Sequence, residues 1–119
     1  MDTLTALLTM ATWYGGAYVG QPLYCGGVYT DTNAPWVALP FYDEWQCGDL
    51  VALWFPDQQE LVFARAMDAG PFGNHCIQGA EGHCSPIVAD VPLHLWPAGD
   101  ALSAPVEMIN ISRLARRRH

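Results

Sequence analysis

Glycine and proline interrupt this chain so often that long helices have no room to form. The sequence has eleven glycines and nine prolines among its 119 residues, and helix interiors tolerate both residue types poorly. Between these breaks lie short runs rich in Val, Leu, Phe, Tyr and Trp, which favour strands. The pattern predicts a single, mainly β domain, a small barrel or sandwich with one or two short helices.

One predicted strand ends directly in a carboxylate. In the segment LVFARAMDAGPF, residues 61–72, side chains alternate with a period of two until the chain reaches Asp68. Gly70 and Pro71 cannot continue a strand ladder, so the chain must turn just beyond the acid. Residues 50–55 precede this strand across a short polar connection, which predicts a hairpin pairing 50–55 with 61–67. Asp68 is therefore a candidate site residue at a strand end.

A second apolar run delivers another acid. The segment IVAD, residues 87–90, ends in Asp90 and is followed by Val91 and Pro92. An acid before a proline in this arrangement is typical of a helix N-cap, so we expect a short helix over residues 91–96. His94 on that helix either faces the same site as Asp90 or is an ordinary surface histidine.

The other elements are expected from weaker patterns. Residues 3–14 predict a first strand, residues 15–40 a long irregular loop, residues 72–86 a second loop and residues 105–112 a closing strand.

Four cysteines allow three disulfide pairings: Cys25, Cys47, Cys76 and Cys84. Pairing between sequence neighbours, Cys25 with Cys47 and Cys76 with Cys84, is the simplest and favours an oxidising, extracytoplasmic or secreted location. Zinc is the rival interpretation, because His75 and His83 each precede a cysteine and imidazole and thiolate are zinc ligands. Free thiols are the third possibility.

Charge divides the chain unevenly. The net charge is −7, yet four of the five arginines and no acid lie in residues 113–119. The acidic body argues against nucleic acid as a partner. We divide the chain into a domain over 1–112 and a basic tail over 113–119, which is either a disordered end or a contact for anionic polymers.

No stretch of the chain predicts a membrane span, since none reaches the roughly 18 apolar residues required. The opening residues lack the basic start and the length of a signal peptide. We therefore expect a mature exported domain or a piece of a larger particle, such as a virion.

The two acidic segments resemble a known signature. MDAGPF and IVADVP are similar to the paired motifs of double-psi β-barrels of the rare lipoprotein A and expansin group, which carry Asp-x-Gly-Pro-Phe and later an apolar-apolar-Asp-Leu-Ser element. Four further segments resemble the group in the same order, so the resemblance covers nearly the whole chain: ATWYGG (11–16), CGG (25–27), VALPFYDEWQCGDLVAL (37–53) and PVEMINI (105–111). It implies a six-stranded double-psi β-barrel.

The resemblance also implies a groove that binds polysaccharide or peptidoglycan strands across the two acids. Some members are lytic transglycosylases that use one aspartate, related glycosidases hydrolyse β-glucans with two carboxylates, and expansins loosen walls without evident hydrolysis. The catalytic aspartate of this group matches Asp90. The resemblance places Asp68 beside it and Thr12 and Tyr14 on the opposite side of the groove. The chain departs from the group at Ala69, where the lipoprotein branch has Arg, and at Val91-Pro92, which replaces Leu-Ser.

These residues suggest a specific chemistry. Apolar neighbours would desolvate Asp90 and raise its pKa, which suits a general acid that later acts as a base. Asp68 would be the second acid in a hydrolase. Substrate-binding candidates, including rings whose flat faces suit sugars, complete the predicted site: Thr12, Trp13, Tyr14, Phe72 and His94. No cofactor or metal is predicted. Two alternatives remain, namely glycan binding without turnover and a structural or assembly role among other subunits.

Overall fold

The computed structural model describes residues 9–14, 20–29, 35–40, 44–70, 76–78 and 84–118. Strands dominate this part of the chain, which confirms the prediction of a mainly β domain. The strands and the single α-helix within it are β1 (Met10–Tyr14), β2 (Trp36–Leu39), β3 (Leu50–Phe55), β4 (Glu60–Ala69), β5 (Cys76–Gln78), β6 (Cys84–Pro92), β7 (Ser103–Pro105), β8 (Glu107–Asn110) and α1 (Ile111–Arg117).

The strands form one mixed sheet in the order β7-β1-β6-β2-β4-β3-β8, and β5 pairs with β6 outside this path. β1 is parallel to β6 and β2 is parallel to β4, whereas the other pairs are antiparallel. The described sheet does not close by hydrogen bonds between its edge strands, so the six-stranded barrel stays a prediction. However, the edge strands β7 and β8 are consecutive in the chain, separated only by Val106.

The predicted hairpin is confirmed. β3 and β4 are antiparallel with Leu50 opposite Arg65 and Phe55 opposite Glu60. The register follows from side-chain alternation: Val51, Leu53 and Phe55 are buried, while the intervening residues of β3 are only partly buried. Burying each such side chain stabilises the fold by about 1.5–3 kcal/mol.

Two apolar clusters lie on opposite faces of the central strands. The main core is built from β-strand residues that alternate inward, together with Trp45, Trp96 and Val106. The Phe55 and Trp96 rings meet edge to face there, with centroids 5.7 Å apart. A smaller cluster on the other face contains Tyr14, Leu23, Tyr29 and Ala38. The central sheet is therefore covered on both sides.

β2 lies at the centre of the sheet, although residues 15–40 were expected to be irregular. Its four residues pair with β4 on one side and β6 on the other. Val37 and Leu39 face the main core, while Trp36 and Ala38 contact the smaller cluster. A strand buried on both faces lacks apolar–polar alternation, which explains why the sequence pattern did not predict it.

The short helix predicted over residues 91–96 is present as a three-residue 3₁₀ helix, Leu93–Leu95, but the predicted N-cap role of Asp90 was wrong. β6 runs to Pro92, so Asp90 lies inside a strand. The physical reason is tertiary, since Asp90 pairs with Thr12 of β1 and with Ala38 of β2. Two neighbouring strands override the local N-cap preference.

The basic C-terminal segment is helical, not a disordered end. In α1, the Asn110 side chain caps the first turn by accepting a hydrogen bond from the Arg113 N–H at 2.9 Å. The Ser112 hydroxyl accepts the Leu50 N–H at 2.9 Å, which fastens the helix to β3. The predicted boundary at residue 112 therefore falls inside this helix. The predicted closing strand over 105–112 is divided between β7, β8 and the start of α1.

Asp49, which immediately precedes β3, anchors α1 to the rest of the domain. This carboxylate is only 4% exposed, and Arg116 contacts both of its oxygens, at 2.6 and 2.9 Å. The Asn110 side chain and the Gln46 N–H donate to Oδ2 at 2.9 and 3.0 Å. These donors hold the pKa of Asp49 down at about 2, and the Arg116 hydrogen bond is the largest cause. The buried charge is therefore fully compensated.

A disulfide joins Cys25 to Cys47, which is the predicted pairing of sequence neighbours, with Cα atoms 5.6 Å apart. Cys84 is also disulfide-bonded. The Cys76 side chain, His75 and His83 lie outside the described residues, so the second pairing and the zinc alternative stay predictions. Within the described ranges, no three metal-ligating side chains come together.

No described helix could cross a membrane, because α1 has seven residues and is the longest helix in that part of the chain.

Candidate functional site

Four residues form a row across the four central strands. Thr12 of β1 lies beside Asp90 of β6, Asp90 lies opposite Ala38 of β2, and Ala38 lies beside Asp68 of β4. Neighbouring strands are about 4.8 Å apart, so the Cα atoms of the two acids are separated by about 10 Å. The predicted pair of carboxylates is therefore brought to one place, with Ala38 between its members.

A register shift in β4 turns Asp68 toward this site. Ala64 and Ala66 face the main core, so strict alternation would send Asp68 into the core as well. However, consecutive residues Val37 and Ala38 of β2 pair with Ala66 and Asp68, which leaves Met67 as an extra residue. A bulge of this kind changes which face the following side chains occupy. It keeps the Asp68 carboxylate out of the core.

β6 contains a similar shift before its acid. Met10 and Ala11 of β1 pair with Ile87 and Ala89, which leaves Val88 as the extra residue. Val88 and Ala89 both pack on the main core. Asp90 then points to the opposite face, where it lines the same cavity as Asp68.

A cavity of about 250 Å³ opens over the row. This volume is slightly below the roughly 300–1,000 Å³ of typical small-molecule sites, so the cavity suits a single ring better than a long ligand. The Tyr14 and Tyr29 rings meet edge to face in its wall, with centroids 4.9 Å apart. The lining residues are Tyr14, Gln21, Pro22, Leu23, Tyr29, Ala38, Asp68, Ala69, Gly70 and Asp90.

Burial raises the pKa of Asp90 to about 6. The Thr12 hydroxyl donates a hydrogen bond to Asp90 Oδ1 at 3.1 Å and opposes part of this rise. Repulsion from the Asp68 charge raises the pKa further but is the smallest of the three causes. A carboxyl of this kind keeps a proton close to neutral pH and can give it up there. The predicted desolvation of Asp90 is therefore present.

Tyr14 contributes a neutral phenol to the same wall. Burial raises its pKa well above the usual range, and Tyr29, Asp90 and Asp68 add smaller effects in the same direction. The hydroxyl therefore stays protonated at any physiological pH.

Whereas Asp90 accepts a hydrogen bond from a side chain, Asp68 accepts hydrogen bonds from the backbone. Its Oδ1 accepts hydrogen bonds from the Tyr24 N–H at 2.9 Å and from the Ala69 N–H at 3.0 Å. The first of these bonds holds the loop over residues 20–29, which supplies one wall of the cavity. The Cys25 N–H bonds to the Met67 carbonyl at 3.0 Å and supports the same attachment. Asp68 thus positions a wall of the site.

The predicted site residues do not all reach the cavity. Tyr14, Asp68 and Asp90 line the cavity. Thr12 bonds to Asp90 but is not a lining residue, and Trp13 does not join them. Alternation along β1 places Trp13 against the main core, where its Nε1 donates to the Ala101 carbonyl at 3.1 Å. His94 lies exposed on the 3₁₀ turn and does not line the cavity. Phe72 lies outside the described residues.

The cavity wall formed by residues 20–29 was not predicted from the sequence. Tyr29 and Gly20 are hydrogen-bonded to each other, and Pro22 bridges to Val28. The turn between them uses Gly26 and Gly27, with φ of 100° and 81°. A Gly-Gly pair between two runs containing tyrosine was the available signal for a small hairpin, since these φ values favour glycine.

Comparison with known proteins gives no further identification, because no family model and no curated protein matches the chain.

Proposed function

We propose that this chain is a glycan-binding domain of the rare lipoprotein A and expansin type that cleaves peptidoglycan strands as a lytic transglycosylase. The observation that carries the proposal is Asp90, a partly buried carboxyl with a pKa of about 6 that lines a cavity open to a ligand. A group with this pKa can both donate and accept a proton near neutral pH. The transglycosylase reaction needs a proton donor first and a proton acceptor afterwards.

The sheet supports the double-psi barrel as the underlying fold. Two parallel pairs, β1 with β6 and β2 with β4, flank a central antiparallel contact. The edge strands β7 and β8 follow each other directly, so the two ends of the sheet lie next to each other along the chain. A sheet that curls back in this way is compatible with a barrel.

The reaction assigned to Asp90 has two proton transfers. Protonated Asp90 gives its proton to the glycosidic oxygen as the bond from that oxygen to the sugar C1 breaks. The resulting carboxylate removes the proton from the C6 hydroxyl of the same sugar, whose oxygen then bonds to C1. The product is an anhydro sugar, no water is consumed, and Asp90 ends protonated as it began.

Neighbouring residues assist this chemistry by orientation. The Thr12 hydroxyl occupies Oδ1 of Asp90, which leaves Oδ2 for the substrate. The protonated Tyr14 phenol and the Tyr29 ring provide a largely apolar wall for a sugar ring. Asp68 holds the 20–29 segment, which includes Tyr29, in place and is not required to activate water.

Glycan binding without turnover is the second candidate. It is favoured by Ala69, which stands where the lipoprotein branch carries Arg. The use of Asp68 as a backbone hydrogen-bond acceptor argues only against a hydrolase, which would need a second carboxylate to activate water. In either case we propose an extracytoplasmic or virion-associated location, since the Cys25–Cys47 disulfide is typical of oxidising compartments.

Incubation with purified peptidoglycan and, separately, with soluble β-glucans tests the proposal. Mass spectrometry should detect anhydro-muropeptides from peptidoglycan, and Asp90→Asn should abolish them. Asp57→Asn, an exposed acid in the turn between β3 and β4, is the matched control and should leave activity unchanged. Hydrolysed β-glucan without anhydro ends would contradict the transglycosylase assignment.

Binding to insoluble peptidoglycan separates the two candidates. Pull-down without any product from either glycan would favour the binding domain. If the protein neither binds nor cleaves, both candidates are rejected, and the assembly role is left.

A further inference from the structure

Tyr24 is an exposed aromatic residue next to the candidate site. It lies on the 20–29 wall, directly after Leu23, which lines the cavity. Its relative exposure is 60%, although large apolar rings usually lose free energy when left in water. Exposed aromatic rings next to a binding cavity suit ligands with flat apolar faces.

The surrounding structure holds this ring in a defined place. The Tyr24 N–H donates to Asp68 Oδ1 at 2.9 Å, and the next residue, Cys25, is tied to Met67 by a backbone hydrogen bond and to Cys47 by the disulfide. The ring itself packs edge to face on Trp45, with centroids 6.0 Å apart and an interplanar angle of 65°.

Trp45 is a rigid support for this contact. It is buried, and its Nε1 donates to the Pro40 carbonyl at 3.1 Å. With this contact in place, Tyr24 keeps 60% of its surface exposed. Because the ring is already ordered, a ligand that stacks on it would lose little additional side-chain entropy.

The cavity is too small for a glycan strand. At about 250 Å³ it suits one ring, so the next sugars of a strand must lie outside it. Tyr24 lies beside the cavity, because it follows the lining residue Leu23 and its N–H bonds to the Asp68 carboxylate, which also lines the cavity.

We infer that Tyr24 forms an outer sugar-stacking subsite, on the Asp68 side of the cavity, that recognises glycan oligomers longer than the cavity itself can hold. This inference rests on the proposed function and specifies which part of a strand the site contacts. Tyr24 is a binding residue here and takes no part in the proton transfers of Asp90.

The test measures binding of peptidoglycan glycan strands, freed of peptides, as a disaccharide and as a hexasaccharide. Asp90→Asn protein is used so that no ligand is cleaved. Adding Tyr24→Ala should weaken hexasaccharide affinity about tenfold, in line with the loss of one stacked ring, and should leave disaccharide affinity unchanged. Tyr24→Phe keeps the ring and should restore hexasaccharide binding to within about twofold.

Phe63→Ala is the matched control. Phe63 is 51% exposed but lies five residues before Asp68 on β4, about 16 Å away along the strand. Its replacement should change neither affinity.

Equal hexasaccharide binding with and without Tyr24→Ala would overturn the subsite and leave the proposed function standing. Equal weakening of disaccharide and hexasaccharide binding would also overturn the subsite, because the substitution would then act on the cavity wall. If Asp90→Asn protein binds no hexasaccharide at all, both the subsite and the proposed function are rejected.

Discussion

Asp49 is buried and Asp90 is partly buried in the same small domain, and the two aspartates have opposite electrostatic surroundings. Asp49 accepts hydrogen bonds from Arg116, Asn110 and the Gln46 backbone, and its pKa is lowered to about 2. Among the described residues, Asp90 accepts one hydrogen bond, from the Thr12 hydroxyl, and burial raises its pKa to about 6.

The difference shows that the hydrogen-bond donors around a carboxyl shielded from water decide whether its charge stabilises the fold. A charge with several donors is stabilising and serves the fold, here by holding α1 against the body. A charge with a single donor is destabilising when ionised, and such a group is a candidate for proton transfer.

Replacing Asp49 should have the largest effect. Asp49→Asn should lower the free energy of unfolding at pH 7 by about 3 kcal/mol, because Arg116 loses its buried counter-charge and other donors lose their acceptor. Chemical denaturation measures this change. The exposed carboxylate variant Glu107→Gln is the control and should lie within about 0.5 kcal/mol of the unchanged protein. A similar small effect for Asp49→Asn would remove the contrast with Asp90.

Replacing Asp90 should act in the opposite direction. Its folded pKa lies above the value of an unfolded aspartate, so the folded state holds the extra proton and the carboxyl reduces stability as pH rises from about 4 to about 6. Above that range the ionised group costs about 3 kcal/mol. Asp90→Asn should therefore raise the free energy of unfolding at pH 7.5 by about 2 kcal/mol, measured by denaturation, and leave it almost unchanged at pH 3.5.

The pH profiles of the two variants provide an internal check. Asp49 has a lowered pKa, so its stabilisation is present above about pH 4 and is lost as pH falls toward about 2. Asp49→Asn should flatten the acid side of the stability profile, whereas Asp90→Asn should flatten the decline between pH 4 and pH 6. A profile in which both variants alter the same pH window would contradict the assignment.

Arg116→Gln should produce a smaller loss than Asp49→Asn. The Arg116 side chain is 37% exposed, so water can replace part of the interaction that Asp49 loses when the guanidinium is removed. The pKa of Asp49 should rise toward its usual range, because the Arg116 hydrogen bond is the largest cause of its lowering. Carboxyl NMR titration of Asp49 measures the change, and an unaltered pKa would show that Asn110 and Gln46 suffice.

Thr12→Val should give the smallest change. Removing the hydroxyl takes away the hydrogen bond that favours ionised Asp90, so the pKa of Asp90 should rise further and stability at pH 7.5 should fall by about 1 kcal/mol. NMR titration follows the pKa. Thr12→Ser, which keeps a hydroxyl, should leave it near about 6, and a rise in the serine variant would indicate packing as the cause.

Local patterns predicted the parts of the fold that depend on neighbours in sequence. The β3–β4 hairpin followed from alternation and a short polar connection, and the pairing of Cys25 with Cys47 followed from proximity along the chain. The acidic motifs singled out Asp68 and Asp90, and these two residues line one cavity.

Other features could not be read from local patterns because partners distant in the sequence create them. β2 gains its strand character from β4 and β6, and Asp90 lies in a strand only because β1 and β2 pair beside it. The basic end becomes a helix through its own Asn110 cap, and its docking depends on Asp49, far back in the chain.

The sequence by itself determined that the chain is mainly β, that one strand pair is a hairpin and that two acids end apolar runs. Tertiary structure decided which way those acids point. Alternation has a fixed period, but a single extra residue in a paired strand, such as Met67, reverses the faces beyond it. The pKa of Asp90 depends on both levels: its apolar sequence neighbours predicted the desolvation, whereas the hydrogen bond from Thr12 comes from another strand and leaves no mark in the local sequence.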